Sequence, residues 1–168
     1  DDDGDYIMIQ PCFSPVWDTG YALYTLTECG LRQGDPSVDA ASAWLLEKEC
    51  AFRGDWADGV SLPADATGWY FEYHNAWYPD VDDTAQVAMA LHRTAADTGC
   101  AAGERGVKWL LAMQNADGGW AAFDRTKHRP ILEYVPFADH NAMQDPSCPD
   151  ITGRILECLA WHGYTTKD

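Results

Sequence analysis

The sequence predicts an all-α fold of stacked helix pairs, an α-solenoid or, if closed, an α/α barrel, and two internal repeats predict it. W-D-T-G-Y-A-L-Y-T-L (Trp17 to Leu26) recurs about 65 residues on as D-D-T-A-Q-V-A-M-A-L (Asp82 to Leu91), and once more as D-I-T-G-R-I-L-E-C-L (Asp150 to Leu159). Between these copies, A-W-L-L-E-K-E-C-A-F-R-G-D-W (Ala43 to Trp56) matches K-W-L-L-A-M-Q-N-A-D-G-G-W (Lys108 to Trp120) at the same spacing. No alternating apolar pattern of comparable length competes, and a repeated helix pair buries its apolar face only by stacking on its neighbours.

Each element follows in order. The first helix opens near Asp18 and Thr19, because a polar step into apolar positions satisfies the free N–H groups of a helix start. The second carries Trp44-Leu45-Leu46 and ends in a turn whose Gly54-x-Trp56 returns an indole to the helix end, glycine taking the left-handed C-cap conformation. A long aromatic loop, Arg53 to Pro79, leads to a third helix that Asp82 or Asp83 is expected to cap ahead of Thr84. The fourth helix repeats the Trp-Leu-Leu segment and closes at Gly118-Gly119-Trp120, and a second long loop, Ala121 to Pro149, precedes a fifth helix at Asp150. Loops of this size are more often functional than idle. So few pairs leave open ends, and the chain begins D-D-D-G-D without Met, so a piece of a longer chain is expected.

Charge narrows the function. With 27 acidic and 11 basic side chains the formal net charge is −16, which repels polyanions and argues against nucleic acid as a partner. The small cluster Arg125, Lys127 and Arg129 reads as a solvated loop. No apolar run reaches the roughly 20 residues a bilayer span needs, which leaves attachment to a membrane surface open. The six cysteines are dispersed without C-x-x-C or zinc-finger spacing, the pattern of a reducing, cytosolic setting.

The chemistry concentrates in Asp80, Asp82 and Asp83, three carboxylates within four positions. One cap needs one Asp, and the aligned Trp17-Asp18-Thr19 has one, so Asp83 reads as the helix-start residue and Asp80 and Asp82 as surplus to it. Crowded carboxylates cannot all ionise at low cost, so one keeps a proton, and facing an apolar cavity strengthens that effect. The same oxygens suit Mg²⁺ bridging to phosphate. However, the flanking F-E-Y-H-N-A-W-Y-P and G-G-W-A-A-F are aromatic where a diphosphate site would want Arg or Lys. Ring faces stabilise cations, so an acid beside them fits protonation of an apolar substrate followed by carbocation chemistry.

These residues resemble the squalene-hopene cyclases, bacterial class II triterpene cyclases. Their D-x-D-D-T-A signature is Asp80 to Ala85, and their Gln-Trp repeat resembles Arg105-Gly106 through Gln114 to Trp120. Further likeness lies in Q-P-C-F-S-P-V-W-D-T-G (Gln10 to Gly20), G-W-Y-F-E-Y-H-N (Gly68 to Asn75) and P-F-A-D-H-N-A-M-Q-D-P-S-C-P-D-I-T-G-R (Pro136 to Arg154). The resemblance implies an internal fragment of a two-barrel protein: residues 1–12 as the end of the neighbouring barrel or a linker, and 13–168 as part of the catalytic α/α barrel. It implies Asp82 as proton donor to the terminal alkene of squalene, with Asp80 and Asp83 holding its protonation and geometry. Asp150, Arg154 and Asp18 become the acid's supporting shell, and Trp17, Phe71 and Phe123 the aromatics that line the cavity and stabilise cations.

Some members of the family carry His where Arg154 stands, and many carry Tyr at Phe123. The resemblance also implies catalysis without cofactor or metal, a homodimer, and monotopic attachment to the cytoplasmic side of the bacterial membrane. Oxidosqualene cyclases carry a single Asp flanked by Cys, because an epoxide is easier to protonate than an alkene. A class II diterpene cyclase, a two-carboxylate glycosidase and a non-catalytic helical scaffold are the competing readings.

Overall fold

A computed structural model describes residues 12–125, 129–135 and 143–167, so most of the residues 1–12 segment, Lys127 and the P-F-A-D-H-N segment lie outside the described residues. Five α-helices carry the fold: α1 Pro15–Glu28, α2 Pro36–Glu47, α3 Val81–Arg93, α4 Asp97–Ala112 and α5 Pro149–Trp161. Among the described residues there is no strand, only isolated bridges between Cys50 and Gly68 and between Trp69 and Asp80. Proline opens α1, α2 and α5, where its fixed φ suits the first turn and its missing N–H is no loss. As a result α1 and α5 begin ahead of the Asp18 and Asp150 positions expected to start them.

The helices form two layers. α3 packs on α1 and α5 in one layer and on α4 behind it, while α2 lies behind α1. Two clusters of buried side chains join the layers, one around Trp109, Leu110, Trp120 and Ile155, the other around Val16, Leu23, Leu45, Trp69 and Leu91. Each such aliphatic chain contributes about 1.5–3 kcal/mol by leaving water. The arrangement is that of the all-α repeat the sequence predicts.

The turn tryptophan of the first unit needs correction. The Trp120 indole N–H donates to the Leu110 carbonyl at 2.6 Å, near the end of α4 as expected. In the first unit the matching bond comes from Trp69, which donates to Leu45 at 2.7 Å, whereas Trp56 donates to the Trp77 carbonyl at 3.0 Å. Trp56 packs edge-on against Trp109 with ring centres 5.7 Å apart. The glycine before each anchoring indole is required by close approach. A Cβ on Gly68 would lie 2.9 Å from Thr84 Oγ1, and one on Gly119 2.7 Å from Ser147 Cβ.

Candidate active site

Asp80 ends an extended segment and caps α3, its carboxylate accepting the Asp83 N–H at 2.7 Å. The cap is thus Asp80, not Asp82 or Asp83, because the helix starts at Val81 and leaves Asp83 inside its first turn. The Thr84 hydroxyl donates back to the Asp80 carbonyl at 2.6 Å. The Val81 N–H, otherwise without a partner at a helix start, donates to the Ala122 carbonyl at 2.8 Å and so pins the second long loop to the acidic cluster.

Enclosure by α1, α4 and α5 buries every residue from Val81 to Leu91 except Asp82. Asp83 is 1 % exposed, and its Oδ1 has no hydrogen-bond partner among the described residues. Burial chiefly, then the hydrogen bond with Asp80 and the charges of Asp80 and Asp82, push the Asp83 carboxyl up to about 10, with Arg154 opposing. Asp80 is raised as well, by burial, while its hydrogen bonds from Asp83 pull the other way. The Asp80 and Asp83 pair therefore keeps a proton at neutral pH.

Asp82 faces a different partner. The Arg154 guanidinium, reaching across from α5, donates to its Oδ1. The same guanidinium lies over the Trp17 ring, 5.0 Å from its centre, and Trp17 meets Tyr21 edge-on at 4.8 Å. Residues of α1, α3 and α5 thus converge, and the three carboxylates diverge, Asp80 toward Asp83 and Asp82 toward Arg154.

A cleft of about 330 Å³ opens beside the cap, lined by Phe71, Glu72, Asn75, Tyr78, Asp80 and Phe123. Phe123 is placed there by the Val81 to Ala122 bond and by its own N–H, which donates to Asp145 at 2.8 Å. The Tyr78 ring meets Phe123 edge-on at 5.8 Å, and its hydroxyl donates to Asp124 at 3.0 Å. Burial first, and the Asp124 carboxylate second, push that phenol up to about 12.

The two other acids expected in the supporting shell stand apart. Asp150 is exposed and accepts from the Cys148 thiol at 2.7 Å, which leads the causes that hold its carboxyl low, the Arg154 charge being the smallest of them. Asp18 is exposed and accepts from the Ser14 hydroxyl at 3.0 Å. Sequence reasoning missed Tyr78, Asp124 and Tyr21. Tyr78 had one signal, its place two residues before Asp80 in the aromatic run.

A family model for the squalene-hopene cyclase C-terminal domain matches residues 13–168. The chain belongs to this family. It is 44 % identical to a squalene-hopene cyclase of Bradyrhizobium diazoefficiens over 97 % of this chain and 25 % of that protein. Against the squalene-hopene cyclase of Alicyclobacillus acidocaldarius the identity is 37 %, over 94 % of this chain and 25 % of the relative. A squalene hopane cyclase of Aspergillus fumigatus is 43 % identical over 90 % of the chain and 21 % of its own length. The chain thus spans a quarter or less of the length of these relatives.

Proposed function

We propose that this chain supplies the acid of a squalene-hopene cyclase, an enzyme that protonates the terminal alkene of squalene and cyclises it through carbocations to hopene or hopanol. The observation that carries this is that Asp82 alone is partly exposed along the otherwise buried start of α3, while the neighbouring Asp80, which shares a proton with Asp83, lines an aromatic cleft. The relatives named for squalene cyclisation support the substrate.

In this reading Asp82 is the donor and Asp80 with Asp83 is the pair that keeps a proton in the cluster. The cluster's proton, held at rest by the Asp80 and Asp83 pair, passes to Asp82, and the π electrons of the alkene take it from there, leaving a carboxylate on Asp82 and a tertiary carbocation on the substrate. Arg154 then neutralises that carboxylate. Each following double bond attacks the cation before it, and loss of a proton or capture of water ends the series. The rings of Phe71 and Phe123, beside Asp80, offer negative π faces to the early cations and no nucleophile to trap them.

Residues 13–168 then form part of the catalytic barrel. No helix among the described residues is long and apolar enough to cross a membrane; monotopic attachment and a homodimer are part of the proposal for the complete protein. Squalene supplied to the complete protein, with products separated by gas chromatography, tests the function. Pentacyclic triterpene is the expected result, and none from a folded protein would overturn it.

A further inference from the structure

We infer that Trp17 acts as a positioning residue for the acid, holding Arg154 against Asp82. This rests on the cyclase reading above and adds a specific role for one ring. The guanidinium sits 5.0 Å from the Trp17 ring centre while it donates to Asp82. One face of that indole is therefore filled by the protein's own cation.

Arg154 has a competing partner. Asp150 lies four residues earlier on α5, and an acid placed N-terminal to a base at this spacing is the favourable order for an exposed helical pair. Arg154 instead crosses to α3, and two contacts from α1 hold it there: the Trp17 face and the side chain of Tyr21, which meets Trp17 edge-on. A long guanidinium side chain loses substantial rotamer freedom when fixed. The flat ring offsets part of that loss, because a guanidinium stacks on an indole without giving up its in-plane donors. Those donors remain aimed at Asp82.

The consequence falls on the first chemical step. When Asp82 gives up its proton, a carboxylate is left beside a carbocation, and a guanidinium already in contact neutralises it without reorganisation. A displaced Arg154 would stabilise that carboxylate less and slow protonation, with later ring closures unchanged. A Trp17 that instead stabilised a substrate cation would, when removed, let cyclisation stop early.

The test compares Trp17→Phe and Trp17→Leu in the complete enzyme, with Arg154 intact and as Arg154→His, reading kcat, KM and product distribution. With Arg154, Trp17→Leu is expected to lower kcat about tenfold at nearly constant KM, and Trp17→Phe, which keeps a ring face, about threefold. The product ratio should not move. With Arg154→His, whose shorter side chain does not reach over the ring, Trp17→Leu should cost less than about twofold further.

Partly cyclised products from Trp17→Leu, equal losses for Phe and Leu, or the same loss in both backgrounds would overturn the inference while leaving the cyclase reading intact. If Arg154→His is inactive, the Phe against Leu comparison and the product ratio still decide. No squalene-derived product from the unsubstituted enzyme would instead remove the reading beneath it.

Discussion

Trp69 and Trp120 make the same three hydrogen bonds in successive units. Each indole reaches a carbonyl near the end of the preceding helix, each backbone N–H donates to a threonine hydroxyl, Thr84 at 2.9 Å or Thr152 at 3.1 Å, and each carbonyl accepts from the residue that caps the next helix, Asp80 or Cys148, at 2.8 Å. Asp80 is therefore held in place by the repeat itself. Thr84→Val keeps the side-chain shape and strands the buried Trp69 N–H, so stability is expected to fall by about 1–3 kcal/mol. Thr84→Ser, which restores the acceptor, should recover most of it in the same thermal melts of the complete protein.

Much of this architecture was legible in the sequence. The Thr column of the repeat, the Trp-Leu-Leu helices and the acidic triplet all stand where the fold uses them. Gly54-x-Trp56 and Gly68-Trp69 both satisfy a local turn pattern, and only the contact with Leu45 chooses Trp69. The cap is ambiguous in the sequence for a related reason: three Asp in four positions each qualify locally, and the bridge from Trp69 to Asp80 selects the first. The approach of Arg154 to Asp82 and Trp17 depends on how α5 lies against α3 and α1, which no local pattern encodes.

Asp83 should make the fold more sensitive to alkali. Its carboxyl is raised to about 10, whereas in the unfolded chain it ionises near its ordinary value of about 3.9. Between those values the folded state binds more protons than the unfolded one, so this group's contribution is full below about pH 4 and declines as pH rises. The slope for one such group reaches about 1.4 kcal/mol per pH unit. Asp83→Asn should flatten the stability profile between pH 6 and 9, roughly the range within that window that a melt can follow. An unchanged slope would mean the pair does not hold its proton.

His162 should act in the opposite direction. Its Nδ1 lies 2.9 Å from the Cys158 carbonyl, which can only accept, so the proton sits on Nδ1 and leaves Nε2 buried without a partner among the described residues. Burial chiefly, and the neighbouring His92 ring at 4.6 Å, lower its pKa, while the Cys158 bond and Glu104 oppose. Stability from this group is present above about pH 6.5 and is lost as pH falls toward the depressed folded value. His162→Gln should remove that acid-side loss, measured as melting temperature against pH from about 7 to 5. A loss that persists in the variant would assign it to other groups.

Asp82→Asn in the complete protein is the most direct test of the account. Asparagine keeps the size and an oxygen for Arg154 but has no proton to give, and general acids contribute about 10²–10⁴-fold. Squalene turnover followed by gas chromatography is expected to fall by at least about 10²-fold, with the melting temperature close to that of the unsubstituted enzyme. Cyclisation at an undiminished rate in the folded Asp82→Asn protein would contradict the central claim.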